Sequence, residues 1–222
     1  MDQQLVLYIG DKAFSSWSLR PWLALKHAKL PFEERMIALR CDDSKQNIAR
    51  ISPSGRVPCL HHGGLVLAES LAIAEYAAEL APEAGLWPKE RQARAAARGI
   101  STEMHAGFAA LRETCPMDLT VHIPGGVAMS ADATADVGRI IQIWNETRSK
   151  YGAGGDYLFG AFTIADAMFA PVVTRFVTYD IDPPGAAGAY IRTIWADPAM
   201  REWIKGAEAE SGRPAPRPKG RP

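Results

Sequence analysis

Along the first 80 residues, short apolar runs alternate with segments whose apolar side chains recur at helical spacing. Leu5-Val6-Leu7-Tyr8-Ile9 closes on Gly10-Asp11, which reads as a buried strand entering a turn. From Ser16 to about Ala28, Leu19, Trp22, Leu23 and Lys26 keep the helical period, with serines available as caps. Pro21 fits this helix if it starts only two or three residues earlier, where backbone N–H groups are unbonded anyway. Glu33–Leu39 reads as a second strand and Ser44–Ile51 as a short helix. Pro58-Cys59-Leu60-His61 and Leu65-Val66-Leu67 flank His62-Gly63-Gly64, the pattern of a hairpin. Glu69 then opens a helix carrying Leu71, Ile73, Ala74, Ala77, Ala78 and Leu80, so the order is βαβαββα.

The stretch from Ala81 to Pro88, with two prolines and a glycine, breaks that helix and reads as a linker. Beyond it the pattern is almost wholly helical. Lys89 to about Thr114 is rich in Ala, Arg and Glu and predicts one helix. Gly99 and Gly107 inside it cost about 1 kcal/mol each relative to Ala, which points to close packing there. Ala131–Tyr151 carries Val137, Ile140, Ile141, Trp144 and Tyr151 along one stripe. Thr163 and Asp166 are spaced for reciprocal capping, and a last helix is predicted from about Pro198 to Glu210. Residues 211–222 hold four prolines, four basic residues and no acid, the composition of a mobile tail.

Composition narrows the function classes. Twenty-five Lys+Arg balance 25 Asp+Glu, so the chain lacks the basic field that drives nucleic-acid binding. No apolar run nears the roughly 18–20 residues that cross a bilayer, and the first residues lack the character of a secretory signal. Three scattered cysteines, Cys41, Cys59 and Cys115, form neither a disulfide framework nor a zinc site. A cytoplasmic enzyme or binding protein is the expectation. His61 and His62 are strand neighbours that point to opposite faces, so no metal site is expected from them.

Two segments carry candidate chemistry. Gly55-Arg56-Val57-Pro58 enters a strand, and eleven residues after Pro58 the pair Glu69-Ser70 opens a helix. A cis Val57-Pro58 bond would offer the Val57 backbone to a peptide-like ligand, whereas a trans bond would make Pro58 an ordinary edge proline. A hydroxyl and free N–H groups at a helix start make a carboxylate site, and a Glu there can bind an amine; plain capping is the alternative. Phe14-Ser15-Ser16-Trp17-Ser18-Leu19-Arg20 likewise places hydroxyls at a helix start, where they can serve an anion or merely cap. A Ser-His hydrolase is not indicated, since there is no Gly-x-Ser-x-Gly elbow.

With these motifs in this order, the sequence resembles the cytosolic glutathione S-transferases. Ser15-Ser16-Trp17-Ser18-Leu19-Arg20 is similar to the Ser-Ser-Cys-Ser-x-Arg motif of their zeta class, with Trp17 in place of Cys. Val57-Pro58 matches the family's cis-proline step, Glu69-Ser70 its acidic-residue-plus-serine motif, and Thr163-Ile164-Ala165-Asp166 its second-domain capping box. The resemblance implies an α/β thioredoxin-like N-terminal domain (residues 1–81), a linker (82–88), an all-α domain (89–210) and the tail (211–222). It implies glutathione as co-substrate, no metal, a small electrophile as second substrate, and a homodimer with no nucleic-acid or membrane partner.

The resemblance also distributes roles. Ser15 would stabilise the thiolate, with Ser16 and Ser18 as neighbouring candidates. Ser16, Trp17, Val57, Pro58, Glu69 and Ser70 would bind glutathione; Val57 takes the cysteinyl unit, and Glu69 and Ser70 the γ-glutamyl amine and carboxylate. Lys45 or Arg56 would face the glycyl carboxylate. Phe14, His105, Phe108 and Arg112 would line the second-substrate pocket, the last three at i, i+3 and i+7 of one helix; core or surface roles are the alternative. Conjugation, a maleylacetoacetate-type cis–trans isomerisation and glutathione-dependent reduction all begin from the same thiolate. The absence of Cys at Trp17 weighs against the isomerase. A dithiol reductase loses its chemistry because the frame reads Ser15-x-x-Ser18, while a non-catalytic binder of hydrophobic ligands would share the fold.

Overall fold

The computed structural model describes residues 4–39, 41–212 and 215. Strands β1 (Leu5–Gly10), β2 (Phe32–Ile37), β3 (Cys59–His62) and β4 (Leu65–Ala68) form one sheet in the order β2-β1-β3-β4. β1 and β2 run parallel, with Leu5 opposite Phe32, so they need a crossover, and helix α1 (Ser16–His27) supplies it. β3 is antiparallel to both β1 and β4, and the β3–β4 hairpin turns on Gly63-Gly64. Helices α2 (Ser44–Ile51) and α3 (Ser70–Leu80) complete this half, and a 3₁₀ turn at Pro82–Ala84 leads out of it. The βαβαββα order is therefore observed, and an all-helical half follows it.

That half contains α4 (Arg91–Ala106), α5 (Ala109–Thr114), α6 (Ala131–Tyr151), α7 (Ile164–Thr178), α8 (Gly185–Ala196) and α9 (Pro198–Ser211). Every residue of α7 is buried, so this helix is the hydrophobic axis around which α1, α4 and α8 pack. Its start is fixed by the expected capping box. The buried Asp166 carboxylate accepts the N–H groups of Leu158 (3.0 Å) and Thr163 (2.8 Å) and the Thr163 hydroxyl (2.9 Å).

Three expectations are corrected. The single helix over Lys89–Thr114 is two, because the chain turns at Gly107 and Phe108, and Phe108 takes a left-handed φ of 61°. Gly107 ends α4, and a Cβ there would meet the Glu103 carbonyl at 2.8 Å; Gly99 has open space around it within this chain. Pro21 lies inside α1 well past its first turn, so α1 forgoes the hydrogen bond to the Trp17 carbonyl. Helix α8, rich in Gly and Ala at its start, left too weak a stripe to be read from sequence. The tail expectation falls mostly outside the described residues; Ser211 ends α9, and the Ala215 N–H is bonded to Glu208 at 3.0 Å.

The halves are pinned together by polar contacts as well as by apolar packing. The Trp203 indole N–H on α9 donates to the Lys12 carbonyl (2.9 Å). His27, on the last turn of α1, lies 3.0 Å from Asp197, which also accepts the Tyr157 hydroxyl (2.6 Å) and caps α9. Replacing Asp166 with Ala would strand three buried donors, each worth roughly 1–3 kcal/mol. Urea unfolding should show a loss of at least about 3 kcal/mol, and a change under about 1 kcal/mol would contradict this account of α7.

Candidate active site

The start of α1 is built by its serines. None of them makes a side-chain cap bond. Instead Ser18 Oγ accepts the Gly10 N–H from the end of β1 (3.1 Å) and the Ser15 hydroxyl (2.7 Å). Ser18 is fully buried and Ser15 nearly so, while Ser16 and Trp17 remain partly open. The strand end, the buried Ser18 and the Ser15 hydroxyl thus form one chain of hydrogen bonds at the mouth of the helix.

Facing it across the sheet edge is the start of α3. The Val57-Pro58 bond that precedes β3 is cis. Glu69, the N-cap of α3, has φ 78° and ψ 124°, a conformation that costs a non-glycine residue about 1–3 kcal/mol and concentrates at functional sites. It leaves the Glu69 side chain exposed and turns the Ser70 hydroxyl inward. Ser70 is 1% exposed, yet its Oγ has no hydrogen-bond partner. A buried hydroxyl without a partner at the positive end of an 11-residue helix is a place prepared for an anion.

These elements enclose a cavity of about 520 Å³, within the usual range for small-molecule sites. Phe14, Ser15, Ser16, Trp17, Arg56, Val57, Pro58, Glu69, Ser70 and His105 all line it. Four other candidates do not, of which Ser18 is buried and bonded to the Ser15 hydroxyl. Lys45 is exposed on α2 outside the lining. Phe108 is 7% exposed and belongs to the hydrophobic core, because the break after Ala106 turns it away from the face that His105 shares. Arg112 sits on α5 rather than on the helix of His105, and its guanidinium stacks 4.9 Å from the Trp17 ring centre. The cavity also recruits Gly55, from the Gly55–Pro58 segment, and Leu39, Ile48 and Ser54, which no sequence motif marked. His61 and His62 have separate partners, the Ile51 carbonyl (2.7 Å) and the Tyr76 hydroxyl (2.8 Å).

The electrostatics around His105 are unusual. Its Nε2 lies 3.6 Å from Glu69 Oε2, and its ring meets Trp17 edge-on at 5.3 Å. Burial, helped by the nearby cations Arg20 and Arg112, holds its pKa below the ordinary histidine value, and Glu69 opposes them. Arg20 is fully buried on α1 with its guanidinium 4.2 Å from the Trp17 ring centre. Neither Arg20 nor the buried Arg175 was a sequence candidate. The available signal was a charge inside an apolar stretch, since Phe169–Val177 is apolar except for Thr174 and Arg175.

Residues 14–80 match the family model described as glutathione S-transferase, N-terminal domain. A probable maleylacetoacetate isomerase of Caenorhabditis elegans is 29% identical over 82% of this chain and 83% of its own. The maleylacetoacetate isomerase of Rattus norvegicus is 28% identical over 80% of each chain. Among solved structures, a glutathione transferase homologue from Burkholderia with bound glutathione superposes with TM-score 0.70 at 26% identity, covering 93% of this chain and 99% of that one. The fold and these matches define the class that the chain resembles: residues 14–80 carry a glutathione S-transferase N-terminal domain, and the chain as a whole is similar to members of the cytosolic glutathione S-transferase superfamily. Within it the chain is zeta-like, as its isomerase-named relatives and its Ser15–Arg20 segment agree.

The charge arrangement around His105 has a direct readout. A proton NMR titration should place its midpoint below the ordinary histidine value of about 6.5. Glu69→Gln removes the one nearby charge that favours the imidazolium, so the midpoint should fall further. A rise in that variant would contradict the assignment.

Proposed function

We propose that this protein binds glutathione in the cavity between α1 and α3 and activates its thiol, with the Ser15 hydroxyl, for attack on a small electrophile. The observation that carries this reading is the unpartnered, buried Ser70 hydroxyl at the start of α3, lining the same cavity as Ser15. In this reading the γ-glutamyl carboxylate takes Ser70 and the α3 N–H groups, Glu69 takes the amine, and the Val57 backbone pairs with the cysteinyl unit. Arg56 faces the glycyl carboxylate; it lines the cavity, and Lys45 does not.

A thiol has an ordinary pKa near 8.5 and the thiolate is the nucleophile, so the site must favour the anion. Ser15 does this by donating. In the structure its proton goes to Ser18. When a thiolate arrives, the two hydroxyls rotate, so that Ser18 donates to Ser15 and Ser15 to sulfur, while Gly10 N–H still donates to Ser18. Each bond polarises the next, and no heavy atom need move far. The thiol proton leaves to solvent; the sulfur lone pair forms a bond to the electrophilic carbon, and the leaving group departs with its electrons.

A second reading is a cis–trans isomerase, favoured by relatives that match four-fifths of the chain under that name. Assaying a chloronitrobenzene and a maleyl compound side by side with glutathione separates the two. Turnover of the maleyl compound alone would favour the isomerase. Binding of glutathione with turnover of neither would make the protein a non-catalytic binder, and reduction is read from formation of glutathione disulfide.

The reading carries the division at residues 81 and 89, a cytoplasmic setting consistent with three free cysteines, and a homodimer. No described helix is long and apolar enough to cross a membrane. The dimer is supported by the edge strand β4, on which Leu65 and Val66 are 41% and 42% exposed, an edge that calls for a cover. Light scattering should give twice the chain mass of 24.1 kDa; a single-chain mass at micromolar concentration would overturn it.

The central experiment is Ser15→Ala. Losing a hydrogen bond to a charged group costs about 1.5–3 kcal/mol, so the bound thiol's pKa should rise by roughly one to two units. Turnover at neutral pH should fall at least about tenfold with only a few-fold change in KM, and raising the pH should restore most of it. An unchanged midpoint in the ultraviolet thiolate titration would show that Ser15 is not the donor.

A further inference from the structure

Beneath the cavity the protein holds more positive charge than any described carboxylate balances. Arg20 and Arg175 are 1% and 5% exposed, and Arg20 Nε, Arg20 Nη1 and Arg175 Nε have no hydrogen-bond partner. Arg175 donates to the Pro171 carbonyl, and the half-buried Arg112 to the Met104 and His105 carbonyls at the end of α4. Among the described residues none of the three forms an ion pair. Only Asp136, which accepts the Leu111 N–H at 3.0 Å, offsets Arg112 from a distance. The cations feel one another: burial lowers the Arg20 and Arg175 pKa values, the latter to about 10, and Arg112 lowers both further. Burying unpaired charge is costly, and a fold keeps it where a ligand or a reaction uses it.

The cluster is also placed where it can act. Trp17 lines the cavity and carries the guanidiniums of Arg20 and Arg112 on its ring, at 4.2 and 4.9 Å. Its indole puts an apolar ring between these charges and the cavity, and across that ring their field is screened less than it would be across solvent. We propose that Arg20, Arg112 and Arg175 together supply a fixed positive field that stabilises the thiolate of glutathione bound against Trp17, the ligand's negative charge serving as the counter-charge that the protein withholds. This rests on the reading that glutathione occupies this cavity. The three are positioning residues: they act through space, Ser15 acts by contact, and the only bond that changes is S–H, whose proton goes to solvent. The field also accounts for a tryptophan at position 17, where a broad apolar plate separates buried cations from a ligand while stacking on both.

The test is the pH titration of the ultraviolet thiolate band of glutathione bound to the full-length protein. Arg112→Gln should raise the midpoint by at least about half a unit, and Arg112→Lys, which keeps the charge, should stay near wild type. Asp136→Asn should move the midpoint the other way, because it removes the negative charge that partly masks Arg112. A structural disturbance has no reason to improve the thiolate, so this opposite sign identifies a field, and it decides the matter alone if Arg112→Gln does not fold. Midpoints unmoved in both variants, or moved in the same direction, would overturn the proposal while leaving the glutathione reading intact. A wild-type protein with no saturable thiolate band would overturn both.

Discussion

Helix α1 is packed on both sides, by α3 of the sheet half and by α7 of the helical half, and the rest of the molecule is arranged around that double burial. Eight of its twelve residues are buried, including a charged one. A helix with so little free surface cannot shift without disturbing both halves, so the hydroxyls at its start are held to the accuracy of a core. Its other end is fastened too, where His27 meets Asp197 and stacks on Phe162 with ring centres 3.4 Å apart. Rigid support of this kind suits the proposed role of Ser15, whose hydroxyl must keep its aim on a ligand atom.

Much of the fold was legible because the sheet half is made of local signals. The Gly63-Gly64 turn, the apolar β1 run and the α2 boundaries are each set by a few adjacent residues, and all three were read correctly. The helical half was harder. An Ala-rich stretch such as Lys89–Thr114 has helical propensity throughout, so propensity could not reveal the break at Gly107-Phe108, which burial of the Phe108 side chain in the core accompanies. Pro21 was misjudged for the opposite reason. A local rule put it in the first turn, while tertiary packing on two sides holds the helix together around it.

The cavity lining divides the same way. Ser15, Ser16, Trp17, Val57, Pro58, Glu69 and Ser70 lie in three compact motifs, which short-range chemistry left open to plain capping and which the family resemblance singled out. Arg20, Arg112 and Arg175 converge from α1, α5 and α7, and no spacing along the chain announces that convergence. What sequence offers there is an oddity: a cation in the middle of a buried apolar run. Such a residue is worth marking whenever its partner cannot be named. The same applies to Glu69, whose left-handed backbone became visible only with the structure.

All of this depends on glutathione lying between the starts of α1 and α3. Amide chemical-shift mapping with unlabelled glutathione on the isotopically labelled protein reads that placement directly, without any assay of turnover. The account predicts saturable changes that are largest at the Ser15, Val57 and Ser70 amides and fade along α6 and α9. Changes centred elsewhere, or none at millimolar glutathione, would contradict it.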